Sequence, residues 1–148
     1  PNYSYGWSDS MGIGLEAMDE DHKALLDAIG RSQLLIESGT LDEYRDLLNE
    51  MKKYIRPHFS REEALMVAID YPGRENHAEV HRMFSRQVEL MSRQLEGGEL
   101  ISAELLNFLL DWWTEHIQTM DRAYTTYCEG KEAVIEAALL ELADGANQ

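Results

Sequence analysis

Residues 74–95 read RENHAEVHRMFSRQVELMSRQL, and this stretch decides the fold. Its apolar positions Phe84, Val88, Met91 and Leu95 recur at alternating steps of four and three. Side chains so spaced share one face of an α-helix. Followed back toward the N-terminus, the same stripe runs through His81 and His77. Strand signals are absent, because no segment alternates apolar and polar residues over several positions.

Three turn signals, Ser38-Gly39-Thr40, Tyr71-Pro72-Gly73 and Gly97-Gly98, separate stretches rich in good helix formers. The pattern predicts helices over about 19–37, 41–69, 74–95 and from 102 to past Tyr127. The first turns Leu25, Leu26, Ile29 and Ile36 inward, with Gly30 marking close packing. The second turns in Leu47, Leu48, Met51, Tyr54, Ile55, Leu65, Met66 and Ile69, and Pro57 inside it predicts a kink. The fourth turns in Leu105, Leu109, Trp112 and Met120. Four amphipathic helices joined by short turns make an all-α, up-down-up-down four-helix bundle. It is expected over residues 1–130, with residues 1–18 as an N-terminal arm pinned by Trp7. Residues 131–148 form a C-terminal helical extension with Ile135, Ala138, Leu139 and Leu142 together, which docks on the bundle, dimerises or leads into a linker.

The chain has 148 residues, enough for one domain. Hydrophobic residues at 44% and charged residues at 28% are those of a soluble globular protein. Lys and Arg number 13 against 28 Asp and Glu, a net charge of -15 that argues against nucleic-acid and anionic-membrane partners. The single Cys128 excludes an intramolecular disulfide and fits a reducing, cytoplasmic compartment. The opening PNYSYGWSDSMG lacks the charged and apolar regions of a signal peptide, and no apolar run reaches the ~18 residues of a membrane span.

The five histidines, His22, His58, His77, His81 and His116, place at least one on each helix, all on apolar stripes. A lone histidine there is most often a hydrogen-bonded core residue. Five converging on one core are costly unless something binds them. His77 and His81 stand four apart, a chelating pair, and His58 and Glu62 share that spacing. Asp121 follows His116 by five and sits among Met120, Tyr124 and Tyr127. Imidazole and carboxylate donors without thiolate suit iron, manganese or zinc, and seven are too many for one tetrahedral zinc. Five imidazoles, two bridging carboxylates and an oxygen bridge occupy eleven of the twelve positions of two six-coordinate ions, leaving one open to a small diatomic ligand. One spacing resists this arrangement. At about 100° per residue, His116 and Asp121 lie about 140° apart on an ideal helix. A π-bulge between them would align them, and an unbroken i to i−4 ladder from Thr114 to Tyr124 would exclude it.

The motifs MDEDHKALL around His22, HFSREEALM from His58, YPGRENHAEVH ending at His81 and WWTEHIQTMDRAY around His116 resemble the hemerythrins, specifically the bacterial hemerythrin-like domains. The resemblance covers roughly Trp7 to Tyr127. It implies a non-haem di-iron protein that binds dioxygen reversibly and is not an enzyme in its main role. By it, His77, His81 and His116 hold one iron, and His22 and His58 hold the other, which has the open position. Glu62 and Asp121 bridge the two together with an oxo or hydroxo group. The implied dioxygen pocket holds Phe59, Trp112, Trp113 and Ile117.

Trp113 departs from the family, which usually has a leucine three before the fourth helix's histidine. It either fills core volume or narrows the pocket, where its Nε1–H is a donor. The second case raises an alternative, a di-iron enzyme with peroxidase, oxidase or nitric-oxide chemistry. A third reading is sensing, in which the bundle reports dioxygen or redox state to a protein partner through the C-terminal helix; self-association through that helix is a separate expectation. Asp19 and Asp21, near His22, are candidates to orient the site's ligands, although a solvated helix start also explains them.

Overall fold

Thr40 opens the longest helix with a reciprocal capping box. Its Oγ1 accepts from the Glu43 N–H at 3.2 Å, and its own N–H donates to Glu43 Oε1 at 3.1 Å. A computed structural model of the chain describes residues 7–146, with side-chain surroundings to residue 143. The first six residues of the arm and the last two of the extension lie outside it. The bundle helices are α1 (Glu16–Leu35), α2 (Leu41–Ala68), α3 (Arg74–Glu96) and α4 (Ser102–Asp111). The fourth column continues from α4 through a π-helical segment (Trp112–Asp121) into the short α5 (Arg122–Thr125). A last helix, α6, spans Glu132–Ala146. Among the described residues there is no strand, and no helix is long and apolar enough to cross a membrane.

All three expected turns fall between helices, and their shortness forces antiparallel neighbours. α1 packs on α2 and α4, and α2 also packs on α3. The result is the expected all-α four-helix bundle. α2 runs through Pro57 as one helix, with the proline on its exposed side. At the end of α2, Asp70 takes φ 55, a left-handed position that a short polar side chain tolerates.

Most of the stripe residues read from the sequence are buried, Tyr54 is half-buried, and two are exposed. Ile36 is 41% exposed because α1 ends at Leu35 and leaves it in the turn. Tyr127 is 42% exposed in the tight turn after α5. Trp112 and Met120 are half-buried.

The core divides in two. One cluster, including Leu25, Phe59, Phe84, Leu105 and Ile117, fills most of the bundle. The other gathers Met18, Leu65, Met66, Ile69, Tyr124 and Ile135. On three helices a polar residue separates them in sequence: His22 between Met18 and Leu25, Glu62 between Phe59 and Leu65, Asp121 between Ile117 and Tyr124. A buried polar layer therefore crosses the bundle between two apolar plugs.

α6 lies against α2. Its Ile135 is buried and Ala138 and Leu139 pack beside it, while Lys131 Nζ donates to the Ile69 carbonyl at 2.7 Å. Of the options read from sequence, docking on the bundle is the one seen. The arm crosses the fourth column, where Arg122 donates to the Ser10 carbonyl at 2.6 Å.

Candidate metal centre

Five imidazoles and two carboxylates meet in the polar layer, none more than 4% exposed. His22 comes from α1, His58 and Glu62 from successive turns of α2, and His77 and His81 from successive turns of α3. His116 and Asp121 come from the π-helical segment. The widened turn expected between them is present across Trp112–Asp121. A π-helix bonds each residue to the fifth before it, which stacks His116 and Asp121 on one side. Their Nε2 and Oδ1 atoms approach to 3.0 Å.

The donors fall into two groups that share both carboxylates. Glu62, His77, His81, His116 and Asp121 each place one ligand atom within 4.8 Å of the others. His22, His58, Glu62 and Asp121 do the same on the other side. The distances inside the groups are informative. Atoms about 2.1 Å from an ion, as imidazole nitrogens are on zinc, lie about 3.0 Å apart at right angles and about 3.4 Å apart at tetrahedral angles. His77 Nε2 has Glu62 Oε1 at 2.8 Å, Asp121 Oδ1 at 3.0 Å and His116 Nε2 at 3.0 Å. His81 Nε2 is 3.0 Å from Glu62 Oε1, and His22 Nε2 is 3.1 Å from Asp121 Oδ2. His58 Nε2 stands farther from Glu62 Oε2, at 3.6 Å. All of these separations are short enough for the atoms to share a cation.

Hydrogen bonding accounts for only some of these contacts. One N–H on His77 cannot serve three neighbours at once. His22 Nε2 and both Asp121 carboxylate oxygens are buried without a hydrogen bond despite their short contacts. Buried polar atoms are rarely left so. Donor atoms aimed at a common point rather than at one another are what a cation between them requires, so the residues fit a metal pair.

The electrostatics agree. Burial alone would raise the Glu62 carboxyl, but the imidazoles of His116, His77 and His81 outweigh it and hold it well below the usual carboxylate range. Burial and the charge of Glu62 act upward on Asp121, and His116, His22 and His77 bring it down on balance. Burial lowers His77, yet Asp121 and Glu62 beside it push it up to about 9.

The outer ring nitrogens of His58 and His81 have their own partners, whereas those of His22 and His116 are buried without a hydrogen bond. His58 Nδ1 is 2.8 Å from Asp21 Oδ2, and Arg61 donates to the same oxygen. His81 Nδ1 is 3.0 Å from Glu63 Oε2. An imidazole that donates one N–H outward presents its other lone pair inward, which fixes tautomer and ring orientation. Asp21 therefore orients a histidine, but His58 rather than its sequence neighbour His22. Asp19 instead accepts the Ile13 N–H at 2.8 Å and secures the arm. The sequence reading missed Glu63 and Arg61. The doublet Glu62-Glu63 is the only signal in the sequence, and it also suits a solvated face.

Flat side chains pack the rings. Trp112 stacks on His116 at 3.8 Å between centroids, and Phe59 stacks on His81 at 3.9 Å. Trp113 meets His22 edge-on at 6.3 Å, with Trp7 against its other side at 6.5 Å. Ile117 is fully buried. Of the four expected pocket residues, Trp113 meets His22, Trp112 lies against His116 and His81, and Phe59 stands between His81 and His58, 5.8 Å from the latter. The Tyr124 hydroxyl donates to Glu62 Oε2 at 3.3 Å.

The family model for the hemerythrin HHE cation binding domain matches residues 13–128. The chain belongs to this family. The match spans all seven clustered residues and stops before α6. Among curated relatives, a bacteriohemerythrin of Stenotrophomonas maltophilia is 30% identical over 118 residues, 80% of this chain and 77% of that protein. A bacteriohemerythrin of Clostridium acetobutylicum is 27% identical over 124 residues, 80% of this chain and 96% of that protein. Hemerythrin subunit 1 of Golfingia vulgaris is 28% identical over 120 residues, 81% of this chain and 90% of that protein. Hemerythrin membership agrees with a cluster built to hold cations.

Proposed function

We propose that this chain holds two iron ions and binds dioxygen reversibly. The observation that carries the reading is the pair of donor groups sharing Glu62 and Asp121. Their unequal size, three imidazoles against two, matches one filled and one open ion. Imidazole-rich donors suit iron better than manganese, and seven donors are too many for one tetrahedral zinc. A ferrous pair, when bound, supplies the electrons and the vacant position that reversible dioxygen binding needs.

The chain's own residues have separable tasks. His77, His81 and His116 would hold one ion, and His22 and His58 the other. Glu62 and Asp121, common to both groups, would be shared between the ions, and they are held in place by α2 and the π-helical segment. The Tyr124 hydroxyl restrains the outer oxygen of Glu62. Met18, Leu65 and Ile117, each at most 1% exposed, keep water from the layer on its apolar sides. Trp113 covers His22 and screens the two-histidine side.

Iron analysis combined with a dioxygen titration tests the reading. Two irons per chain, and an optical spectrum of the oxygenated form that reverts under vacuum, are expected. One iron or none would sink the assignment. Two irons with rapid irreversible oxidation and turnover of peroxide would favour a di-iron enzyme instead.

A further inference from the structure

The two ions are not supported alike from behind. His58 and His81 each donate Nδ1–H to a carboxylate, at 2.8 Å to Asp21 and 3.0 Å to Glu63. Asp21 also accepts from the Arg61 guanidinium, so its charge is partly spent on a cation. Glu63 has no cationic partner among the described residues, and its bond to His81 is its one recorded hydrogen bond. The two helical positions, 61 and 63, lie on opposite sides of Glu62 and look toward different neighbours, α1 and α3.

A carboxylate that accepts an imidazole N–H makes the ring a stronger donor through its other nitrogen, and a stronger donor favours the more oxidised ion. A cation on the same carboxylate weakens that effect. Building on the two-iron reading above, we propose that Arg61, acting through Asp21, and Glu63 are positioning residues that set the two ions at unequal potentials. The His22/His58 ion is held easier to keep reduced, and the His77/His81/His116 ion easier to oxidise. The open position then lies on the ion that gives up an electron less readily, which protects it from loss of an electron to dioxygen without binding.

The test is a spectroelectrochemical titration of the iron-loaded protein, with Mössbauer spectra at intermediate potentials to identify each ion. Iron content is measured first on the same samples. Arg61→Gln frees the Asp21 charge and is expected to lower the potential of the two-histidine ion. Glu63→Gln removes a charge and is expected to raise the potential of the other. Each shift should be roughly tenfold in the reduction equilibrium, about 59 mV for a one-electron couple. In an Asp21→Asn background, Arg61→Gln should add nothing, because its route is gone.

Shifts of the same sign, no shift, or an Arg61→Gln effect that persists in full beside Asp21→Asn would overturn the proposal while leaving two irons in place. If Glu63→Gln lost iron, the Arg61 comparison with and without Asp21 would decide alone. Wild-type protein with fewer than two irons would instead strike the functional reading beneath it.

Discussion

Loading this site with metal is expected to expel protons, chiefly from His77. With the metals stripped, His77 Nε2 faces Glu62 and Asp121 at 2.8 and 3.0 Å, and it is raised to about 9. An imidazole with that value is about 97% protonated at pH 7.5 and half protonated at pH 9. Metal needs the same lone pair that the proton holds. Binding should therefore release about one proton from this residue at pH 7.5 and about half a proton at pH 9. The competition costs about 2 kcal/mol at pH 7.5, and affinity should weaken roughly tenfold for each pH unit below about 9. His58 is raised too, since Asp21 and Glu62 outweigh its burial, and it adds to the release in the same direction.

The sign for stability is the reverse. A raised imidazole stabilises the metal-free fold fully below its unfolded value of about 6.5, and that contribution, of order 3 kcal/mol, is lost as pH rises through about 9. Anaerobic calorimetry with ferrous ion, repeated in buffers of different ionisation enthalpy at pH 7.5 and 9, counts the protons. Urea melts of stripped protein over the same range give the stability. Zero release at pH 7.5 would show that His77 is neutral before metal binds, and release that does not fall toward pH 9 would show that the protons come from a group other than one titrating near 9. Either result would refute the reasoning.

Three further outcomes are expected. Asp121→Ala removes a donor common to both groups and should leave at most one iron per chain, whereas His22→Ala should spare the three-histidine ion; metal analysis distinguishes them. Trp113→Leu removes an indole that stands over His22. It should speed azide binding to the oxidised protein and raise the autoxidation rate, and unchanged oxygen affinity and autoxidation would dismiss Trp113 as a pocket residue. Leu47→Ala empties a site 1% exposed in the main core and should cost about 2–5 kcal/mol in urea unfolding, without altering iron content.

Much of the centre was legible beforehand, for a physical reason. Helical periodicity is local, so the spacings of His58 with Glu62 and His77 with His81 declare a shared face before any packing is known. The reading was also open to a check at His116 and Asp121, whose five-residue spacing does not suit an ideal helix. A π-helical segment resolves it, and the mismatch itself was visible in the residues. By contrast, the burial of Ile36 was overread, because the stripe continued past the point where α1 stops.

Helical periodicity alone placed the four columns, their turns and the faces on which the seven candidate donors lie, because each depends on positions within one helix. Tertiary structure alone decided what stands behind those donors. Asp21 neighbours His22 in the chain but bonds His58 across the α1–α2 interface, and Glu63 reaches His81 only because α3 packs beside α2. Arg61 and Glu63 flank Glu62 yet serve opposite sides of it. Partners of this kind depend on which helices meet and at what height, which is a property of the packed bundle and leaves no period in the chain. The docking of α6 on α2 was decided in the same way. Its amphipathic pattern announced a face to be covered, and only the fold supplied the surface that covers it.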